Sequence, residues 1–377
     1  MVVGNNPKKC IEIFRMKISI VRGAFLNPFE LQNYLSLKEK FDITAISSKH
    51  PISSTIELPL VKLWSPTDIP NFPFKFPILN RIFVDAQRLY GLEKVINHSD
   101  VVHVAETYYG YTHQAVMAKR RGLVRHVIST VWEVIPFNNE GIVGRKDYKR
   151  LAYDSVDKFV AVTEKAKQAL IKEGVKPEKI TVVNVGIDIR KFKPAKIKKD
   201  TKDINILCVA RLVPEKGITD LLEAFLDIRK KNPKVKLTFI GSGPLKKDLI
   251  GYKNIYVKSV PYQKINKEYH RADIFCLPSR ETKTWAEQYG MCLIEAMACG
   301  LPIVSTTSGA IPEVCGEAAL IGRQSNVDDL RSNLEKLINN KDRRRALSEI
   351  SRQRARSMYD SKKISKQIAK IYKSFDK

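Results

Sequence analysis

A strand–helix alternation that occurs twice constrains this chain more than any other feature. In the first half, apolar runs such as KISIVR (17–22), DVVHVAE (100–106) and KFVAVT (158–163) are typical of buried strands, and helical patterns separate them. The alternation restarts at INILCVA (204–210) and continues to LPIVST (301–306). Because strand–helix–strand repeats build parallel sheets, the sequence predicts an α/β protein with two doubly wound, Rossmann-like domains.

The length of 377 residues supports two hydrophobic cores of ordinary size. We predict an N-terminal domain over residues 16–195, a second domain over 204–350 and a C-terminal helical segment over 351–377. Between the domains, FKPAKIKKDTKD (192–203) is charged, contains proline and lacks apolar periodicity, as linkers do. Residues 1–15 are expected to be a loose extension before the second methionine, and the start at Met1 or Met16 stays open.

Composition indicates a folded globular protein, with 44% hydrophobic and 28% charged residues. No apolar stretch reaches the roughly eighteen residues of a membrane-spanning helix, and the early run ISIV is cut at Arg22, too short for a signal peptide. These features predict a cytoplasmic location. The six cysteines form no CxxC pair, so we expect reduced, structural thiols.

A net charge of +26 predicts an anionic partner: nucleic acid, an anionic membrane face or a phosphorylated small molecule. Part of the excess lies in residues 341–377, which contain 13 Lys/Arg against 4 Asp/Glu. Nucleic-acid binding is disfavoured, because no binding motif and no aromatics interleaved with the basic residues are present. The basic group Lys119, Arg120, Arg121 and Arg125 is a candidate for peripheral contact with the inner face of a membrane.

Two cations follow the first strand of the second domain. Arg211 comes just after the strand, and Lys216 lies five residues later, before Gly217 and the start of a helix. Cations above the rim of a sheet suit a diphosphate, whose negative charge grows as its bond to a sugar breaks. Taken alone, such a pair is more often a set of surface charges beside a turn.

Three glycines follow strands at turns. Gly241 and Gly243 open the segment GSGPLKKDL, where a backbone without side chains and a helix N-terminus favour an approaching phosphate. Gly23 follows the first strand of the N-terminal domain in the same way. We assign all three to the donor-binding site, although simple turn geometry explains each of them equally well.

An acidic pair marks the segment with the strongest chemical signal. Glu287 lies eight residues before Glu295, and Gly290 and Met291 stand where a helix is predicted to begin. Free backbone N–H groups at a helix start suit phosphate oxygens. Carboxylates accept hydrogen bonds from hydroxyls, so Glu295 could bind a ribose diol and Glu287 a sugar ring. The competing interpretation of Glu287 is a charge that stabilises the helix N-terminus.

From Met16 onward the chain resembles the GT-B glycosyltransferases of family 4, which are retaining enzymes that use nucleotide-sugar donors. The motifs that carry the resemblance are DVVHV, VVNVGIDIRKFKP (182–194), ARLVPEKG, IGSGPL and the spacing from Glu287 to Glu295. It implies a GT-B fold, in which two sheets face a cleft and the last helix crosses back to the N-terminal domain. It also implies a hexosyltransferase that needs neither a cofactor nor a metal.

The resemblance also implies roles for individual residues. Arg211 and Lys216 would bind the donor diphosphate, and Glu287 would hold the sugar; these three are the predicted catalytic groups. Glu295 would bind the ribose, and backbone amides near Gly290 and Met291 would share the phosphate. The acceptor implied is a hydroxyl compound, with a lipid-linked or cell-surface glycan precursor favoured by the positive charge.

The chain departs from the family on the acceptor side. Many relatives have a histidine at the end of the fourth strand, where this chain has Trp132 and Glu133, and a second one where it has Ala105 and Glu106. We predict that Glu106 or Glu133 lies near the acceptor. His103 is interpreted as a packed strand residue.

Other activities stay open at this point. The nearest alternative is another two-domain sugar enzyme, a synthase or phosphorylase acting on a soluble acceptor. A dinucleotide-dependent oxidoreductase is disfavoured, because neither GSGPLK nor the turn after Gly23 supplies G-x-G-x-x-G. The donor base and sugar, the linkage and the oligomeric state cannot be derived from the sequence.

Overall fold

The computed structural model describes residues 15–195 and 203–376, which form two parallel sheets. The first sheet contains β1 (Lys17–Gly23), β2 (Asp42–Ser48), β3 (Leu60–Leu63), β4 (Val101–Ala105), β5 (His126–Val131), β6 (Lys158–Ala161) and β7 (Ile180–Val182). The second contains β8 (Asn205–Val209), β9 (Lys236–Ile240), β10 (Ile255–Lys258), β11 (Ile274–Leu277), β12 (Ile303–Thr306) and β13 (Ala319–Gly322).

Helices separate the strands in both halves. Those of the first half are α1 (Pro28–Leu31), α2 (Lys75–Phe83), α3 (Leu92–Ile96), α4 (Gly110–Arg120), α5 (Arg145–Ser155) and α6 (Glu164–Lys172). Those of the second are α7 (Ile218–Lys231), α8 (Asn266–Arg271), α9 (Met291–Ala298), α10 (Ile311–Cys315), α11 (Val327–Ile338), α12 (Lys341–Met358) and α13 (Ser361–Lys373). Short 3-10 turns lie at Leu35–Leu37, Pro66–Asp68, Pro177–Lys179, Pro214–Lys216, Pro244–Leu249, Tyr262–Lys264 and Gly316–Ala318.

The strand order is that of a doubly wound fold in each half. It runs β3-β2-β1-β4-β5-β6-β7 in the first sheet and β10-β9-β8-β11-β12-β13 in the second. The order reverses between β1 and β4 and between β8 and β11, and ligands of such sheets bind at the carboxyl ends of strands beside that reversal. The predicted fold class, two Rossmann-like domains, is confirmed.

The strands are apolar because helices cover both faces of each sheet. All five residues of β4 are buried, and α7 packs Leu221, Phe225 and Ile228 into the core of the second half. The sequence pattern missed β3 and β13. Both are four-residue strands with mostly half-buried residues, so they carry little apolar signal.

The end of the chain returns to the first half. Helix α12 contacts α9, the chain turns at Tyr359–Asp360, and α13 then places Ile364, Ile368 and Tyr372 in a core shared with Ile18 of β1. This crossing lies inside the predicted C-terminal segment. The predicted domain limits stay predictions, since residues 1–14 and 196–202 of the extension and linker lie outside the described residues.

Two further findings concern membrane-spanning helices and the cysteines. Across residues 15–195 and 203–376, no helix combines the length and apolarity that crossing a bilayer requires. Five of the six cysteines are described and all five are free thiols; Cys10 lies outside the described residues.

Candidate active site

The loops after β8 and β9 pack tightly because two glycines leave room for them. A Cβ atom on Gly241 would lie 1.9 Å from the Ala210 carbonyl oxygen, and one on Gly243 would lie 2.3 Å from the Leu212 oxygen. The Leu212 N–H donates to the Ser242 carbonyl at 2.8 Å, which joins the two loops. The glycines therefore hold the Arg211 loop in place, and their contact with a ligand stays a prediction.

Arg211 projects from this loop into solvent. Its side chain is 63% exposed, and its guanidinium lies 3.3 Å from the Glu215 carboxylate. An exposed ion pair of this kind contributes little to stability, so the guanidinium is available to an incoming anion.

Lys216 is held much more firmly. Its ammonium lies 2.6 Å from Oε2 of Glu287 and 4.7 Å from the centre of the Trp285 ring. The Ser279 hydroxyl donates to the same carboxylate oxygen at 2.8 Å. Two residues that are 71 positions apart in the sequence thus form one partly buried ion pair at the end of the second sheet.

Helix α9 begins directly after Gly290, whose φ of +75° favours glycine. Glu295 lies in its second turn and is buried, with the Tyr269 hydroxyl donating to its carboxylate at 2.7 Å. Burial raises the pKa of Glu295 to about 7, while the hydrogen bond from Tyr269, the nearby Tyr262 hydroxyl and Lys191 act in the opposite direction. The carboxyl can therefore ionise near neutral pH.

Cys292, in the first turn of α9, lies near three of the predicted donor residues. Burial raises the pKa of its thiol, with further electrostatic effects from Glu287, Lys216 and Glu295. A Cβ on Gly290 would lie 3.6 Å from Cγ of Glu287, so the Lys216–Glu287 pair adjoins the start of α9, while Glu295 lies in its second turn. The earliest N–H groups of a helix have no partner within the helix. Met291, the first residue of α9, is half-buried at the same place.

On the first sheet, Glu106 follows β4 with an unusual backbone and a buried side chain. Its φ is +57°, and its Oε1 accepts a hydrogen bond from the Trp132 N–H at 2.9 Å. Its Oε2 has no hydrogen-bond partner among the residues that the structure describes. Burial, and then the neighbouring Glu133, raise the pKa of Glu106 to about 8.

Glu133 is satisfied by its own loop. Its Oε1 accepts hydrogen bonds from the N–H groups of Val134 and Ile135 at 3.0 and 2.9 Å, and its Oε2 accepts one from the Asn138 amide at 2.8 Å. These donors fix the carboxylate and the loop around it. Of the two predicted acceptor residues, only Glu106 keeps an unpartnered oxygen within the described chain.

The two halves meet across this site. The Asn138 amide donates to the Thr284 carbonyl at 3.1 Å, and the Trp132 ring packs edge-on against Tyr289 with 5.7 Å between ring centres. Tyr289 immediately precedes Gly290. Glu106 contacts Trp132, and Trp132 contacts Tyr289 beside the start of α9; that the predicted acceptor and donor residues line one cleft stays a prediction.

Gly23 and His103 lie elsewhere on the first sheet. A Cβ on Gly23 would lie 2.5 Å from Oε1 of Gln87, which packs against the turn after β1. The His103 ring contacts the hydroxyls of Tyr372 and Thr130, both at 2.7 Å, and burial lowers the pKa of this histidine. Its contacts are those of a packed strand residue.

Sequence reasoning missed several side chains of the site. Ser279 and Trp285 contact the Lys216–Glu287 pair, and Lys191, Tyr262 and Tyr269 surround Glu295. The aromatic TWAEQYG segment was a signal for Trp285, but no pattern links Tyr269 to a residue 26 positions away. The described residues contain no group of His, Cys, Asp and Glu side chains arranged to hold a metal.

Comparison with known families covers most of the chain. The family model described as Glycosyltransferase Family 4 matches residues 36–191, and the one described as Glycosyl transferases group 1 matches residues 189–354. The chain belongs to the GT-B glycosyltransferases of family 4. The predicted family is confirmed. The first matched region covers β2 to β7, and the second covers β8 to β13.

Individual relatives within the family are distant. The chain is 24% identical to a phosphatidylinositol N-acetylglucosaminyltransferase subunit of Arabidopsis thaliana over 63% of its own length and 54% of that protein. It is 28% identical to the GDP-mannose-dependent monoacylated alpha-(1-6)-phosphatidylinositol monomannoside mannosyltransferase of Corynebacterium glutamicum, over 50% of this chain and 55% of that protein. The matches thus span about half the length of these relatives.

A solved structure of the family agrees over the whole fold. The crystal structure of Anabaena Alr3699/HepE in complex with UDP and glucose superposes with a TM-score of 0.73, covering 95% of this chain and 100% of that one. The sequence identity is 16%, so the likeness is one of fold.

Proposed function

We propose that this chain transfers a hexosyl group from a nucleoside-diphosphate sugar to an acceptor hydroxyl, with retention of configuration at the anomeric carbon. The observation that carries the proposal is the Lys216–Glu287 ion pair beside the start of α9, with the buried Glu295 in the second turn of the same helix. One cation, two carboxyls and free backbone N–H groups match the phosphate, sugar and ribose of such a donor.

The donor would lie along the start of α9. Its ribose hydroxyls would donate to the buried Glu295 carboxylate, and its diphosphate would take hydrogen bonds from the amides near Gly290 and Met291. Arg211 would turn from Glu215 to the phosphates, which exposed ion pairs allow at little cost. Lys216 would share its ammonium between the diphosphate and Glu287, which would also hold the sugar ring.

Transfer requires one bond to form and one to break at the anomeric carbon. The acceptor oxygen bonds to that carbon on the face that the leaving diphosphate vacates, and the carbon–oxygen bond to the diphosphate breaks. The proton of the acceptor hydroxyl passes to the leaving phosphate oxygen. Arg211 and Lys216 stabilise the negative charge that develops there, and this electrostatic effect supplies most of the catalysis.

Glu106 is the acceptor residue that we favour. Its Oε2 is buried and unpartnered among the described residues, so an acceptor hydroxyl that reaches it would complete its hydrogen bonding. A lipid-linked glycan precursor is the acceptor class that we propose. Both relatives are named for transfer to phosphatidylinositol compounds, and a net charge of +26 favours an anionic surface.

Substitution of Lys216 tests the proposal. Lys216→Ala should lower transfer by a factor on the order of 10² to 10³, because one preorganised charge donor is lost at the leaving group. Lys230→Ala, which removes an exposed lysine at the far end of α7, is the matched control and should leave transfer unchanged. If Lys216→Ala and Glu295→Ala both kept full donor hydrolysis and transfer, the assignment would be wrong.

The base and the metal requirement need separate measurements. Thermal-shift titration with UDP, GDP and ADP should show stabilisation by one of them, which identifies the base of the donor. We propose that no metal or cofactor takes part, so EDTA should leave the transfer rate unchanged. The configuration of the product at the anomeric carbon, read by NMR, tests retention directly.

A further inference from the structure

A run of large apolar side chains lies exposed between β3 and α3. Phe74 is 77% exposed, Ile82 65% and Phe76 52%, and Phe72 and Ile78 are exposed as well. We call these five side chains the apolar rim. Single exposed apolar residues are ordinary, but a contiguous apolar patch on a protein surface marks a site of interaction.

Helix α2 carries three of the five rim side chains. Leu79 is buried beneath it, whereas Phe76, Ile78 and Ile82 face outward. The buried ammonium of Lys75 donates to the carbonyls of Thr67 and Ile69, which fixes the start of the helix. Phe76, Ile78 and Ile82 therefore leave apolar surface in water on a helix that also carries the exposed Arg81.

Two exposed arginines lie in the same stretch of chain as the rim. The region 60–90 contains two carboxylates, and both are already engaged. Asp68 accepts from backbone N–H groups, the His50 N–H among them at 2.8 Å, and Asp85 is buried 2.6 Å from the Arg145 guanidinium. Arg81 and Arg88 remain exposed. Cations around an apolar patch suit an anionic lipid surface.

The end of α2 is linked to the residues that follow β4. Asp85, two residues after α2, accepts a hydrogen bond from the Gly110 N–H at 2.9 Å, and the Arg145 guanidinium covers the Tyr108 ring at 5.1 Å. Gly110 and Tyr108 belong to the loop that begins at Glu106. The apolar rim therefore adjoins the carboxyl end of β4, where the acceptor residue lies.

The basic group suggested by the sequence lies at the opposite edge of the sheet. Lys119 is paired with Asp157 at 2.5 Å, Arg121 with Glu93 at 2.9 Å and Arg125 with Asp100 at 3.2 Å. Asp100 immediately precedes β4, so these charges surround the amino ends of the strands. They neither face the cleft nor adjoin an exposed apolar patch.

We propose that the apolar rim docks on an anionic lipid bilayer and turns the cleft towards the membrane. Phenylalanine and isoleucine side chains enter the boundary between headgroups and acyl chains, while Arg81 and Arg88 contact lipid phosphates. A second copy of the chain is a poorer occupant, because it would bring two surfaces of charge +26 together. Docking would also bring a lipid-linked acceptor to Glu106, and this part of the proposal rests on the proposed function.

Vesicle sedimentation of the full chain tests this surface. The wild type should pellet with vesicles of phosphatidylcholine mixed with phosphatidylglycerol, more weakly with phosphatidylcholine alone, and less as salt is raised. Joint substitution of Phe74→Ser, Phe76→Ser and Ile82→Ser should lower the partition coefficient at least about ten-fold. The matched control joins Ile250→Ser, Tyr252→Ser and Tyr256→Ser, which are exposed on the second domain, and should bind as the wild type does.

Three results would overturn the docking surface. The first is a rim variant that pellets as well as the wild type, and the second is a control variant that loses as much vesicle binding as the rim variant. The third is a wild type that dimerises without lipid, together with a rim variant that stays monomeric. Donor hydrolysis measured without vesicles separates this proposal from the proposed function, because the rim variant should retain it. If Lys216→Ala left donor hydrolysis unchanged, the proposed function would fail, but rim-dependent vesicle binding would still support the docking surface.

Discussion

Glu295 is the residue whose ionisation should control nucleotide binding. Burial raises the pKa of its carboxyl to about 7, and ribose hydroxyls can donate only to its oxygens, most strongly when it is ionised. The affinity for the nucleoside diphosphate should therefore rise about ten-fold between pH 6 and pH 8, as the ionised fraction grows.

Calorimetric titration of the wild type and Glu295→Gln at both pH values measures this effect. The nucleotide's own phosphate titrates in the same range, and the Gln variant reports that contribution alone. An equal pH dependence in the two proteins would show that Glu295 does not bind the ribose.

The buried Glu106 carboxyl should lower the free energy of unfolding as the pH rises. Its ordinary pKa is 4.5, and burial raises the folded-state value to about 8. Below pH 4.5 the carboxyl is protonated in both states and contributes nothing. Between these values the unfolded chain loses its proton while the folded protein keeps it, so unfolding becomes easier as pH rises, and the full cost is reached above pH 8.

Glu106→Gln removes this cost and keeps an oxygen for the Trp132 N–H. The variant should gain stability over the wild type between pH 5 and pH 9, by an amount on the order of a few kcal/mol. Urea unfolding at pH 5, 7 and 9 measures it, with the exposed Glu349→Gln as the control. A constant difference across that range would mean that the carboxyl is not buried as described.

At the scale of single elements, the turn before α7 sets the position of Lys216. Gly217 has a φ of +65°, and a Cβ there would lie 1.9 Å from the Pro278 carbonyl oxygen. Gly122, which follows α4, has a φ of +77° but no atom within 4 Å of an added Cβ. Alanine is strained at both positions, by roughly 1–2 kcal/mol, and crowded only at Gly217.

Gly217→Ala should therefore cost at least about 2 kcal/mol more than Gly122→Ala in the free energy of unfolding. It should also weaken nucleoside-diphosphate binding, because Lys216 is displaced, whereas Gly122→Ala should not. Chemical unfolding and calorimetry on the two variants give both comparisons. Equal costs would show that the loop after β8 is free to move away from Pro278.

The strands and helices also show how much of the structure could be predicted from the sequence. Apolar runs such as KFVAVT predicted β6, because a strand buried on both faces has a continuous apolar signature. The apolar residues that follow Gly290 predicted the start of α9. The pairing of Lys216 with Glu287 and of Tyr269 with Glu295 could not be predicted, since each depends on how distant segments pack and not on local pattern.

For the whole molecule, α13 joins the end of the chain to the first sheet. The Tyr372 hydroxyl contacts the His103 ring, and Ile364, Ile368 and Tyr372 fill a core with Ile18 and its neighbours. The helix follows the second half of the chain in sequence but is stabilised by the first. The two halves therefore share a hydrophobic core as well as a cleft.

This arrangement predicts that a defect in α13 separates stability from donor binding. Ile368→Ala leaves a cavity in the shared core and should cost about 2–4 kcal/mol in the free energy of unfolding. Arg211, Lys216, Glu287 and Glu295 all lie on the second half, so nucleoside-diphosphate affinity should not change. Transfer should fall, because it also needs the first half held across the cleft.

Lys366→Ala, on the exposed face of the same helix, is the control and should alter none of the three quantities. A loss of nucleotide affinity in Ile368→Ala that matches its loss of transfer would mean that the donor site depends on the first half as well.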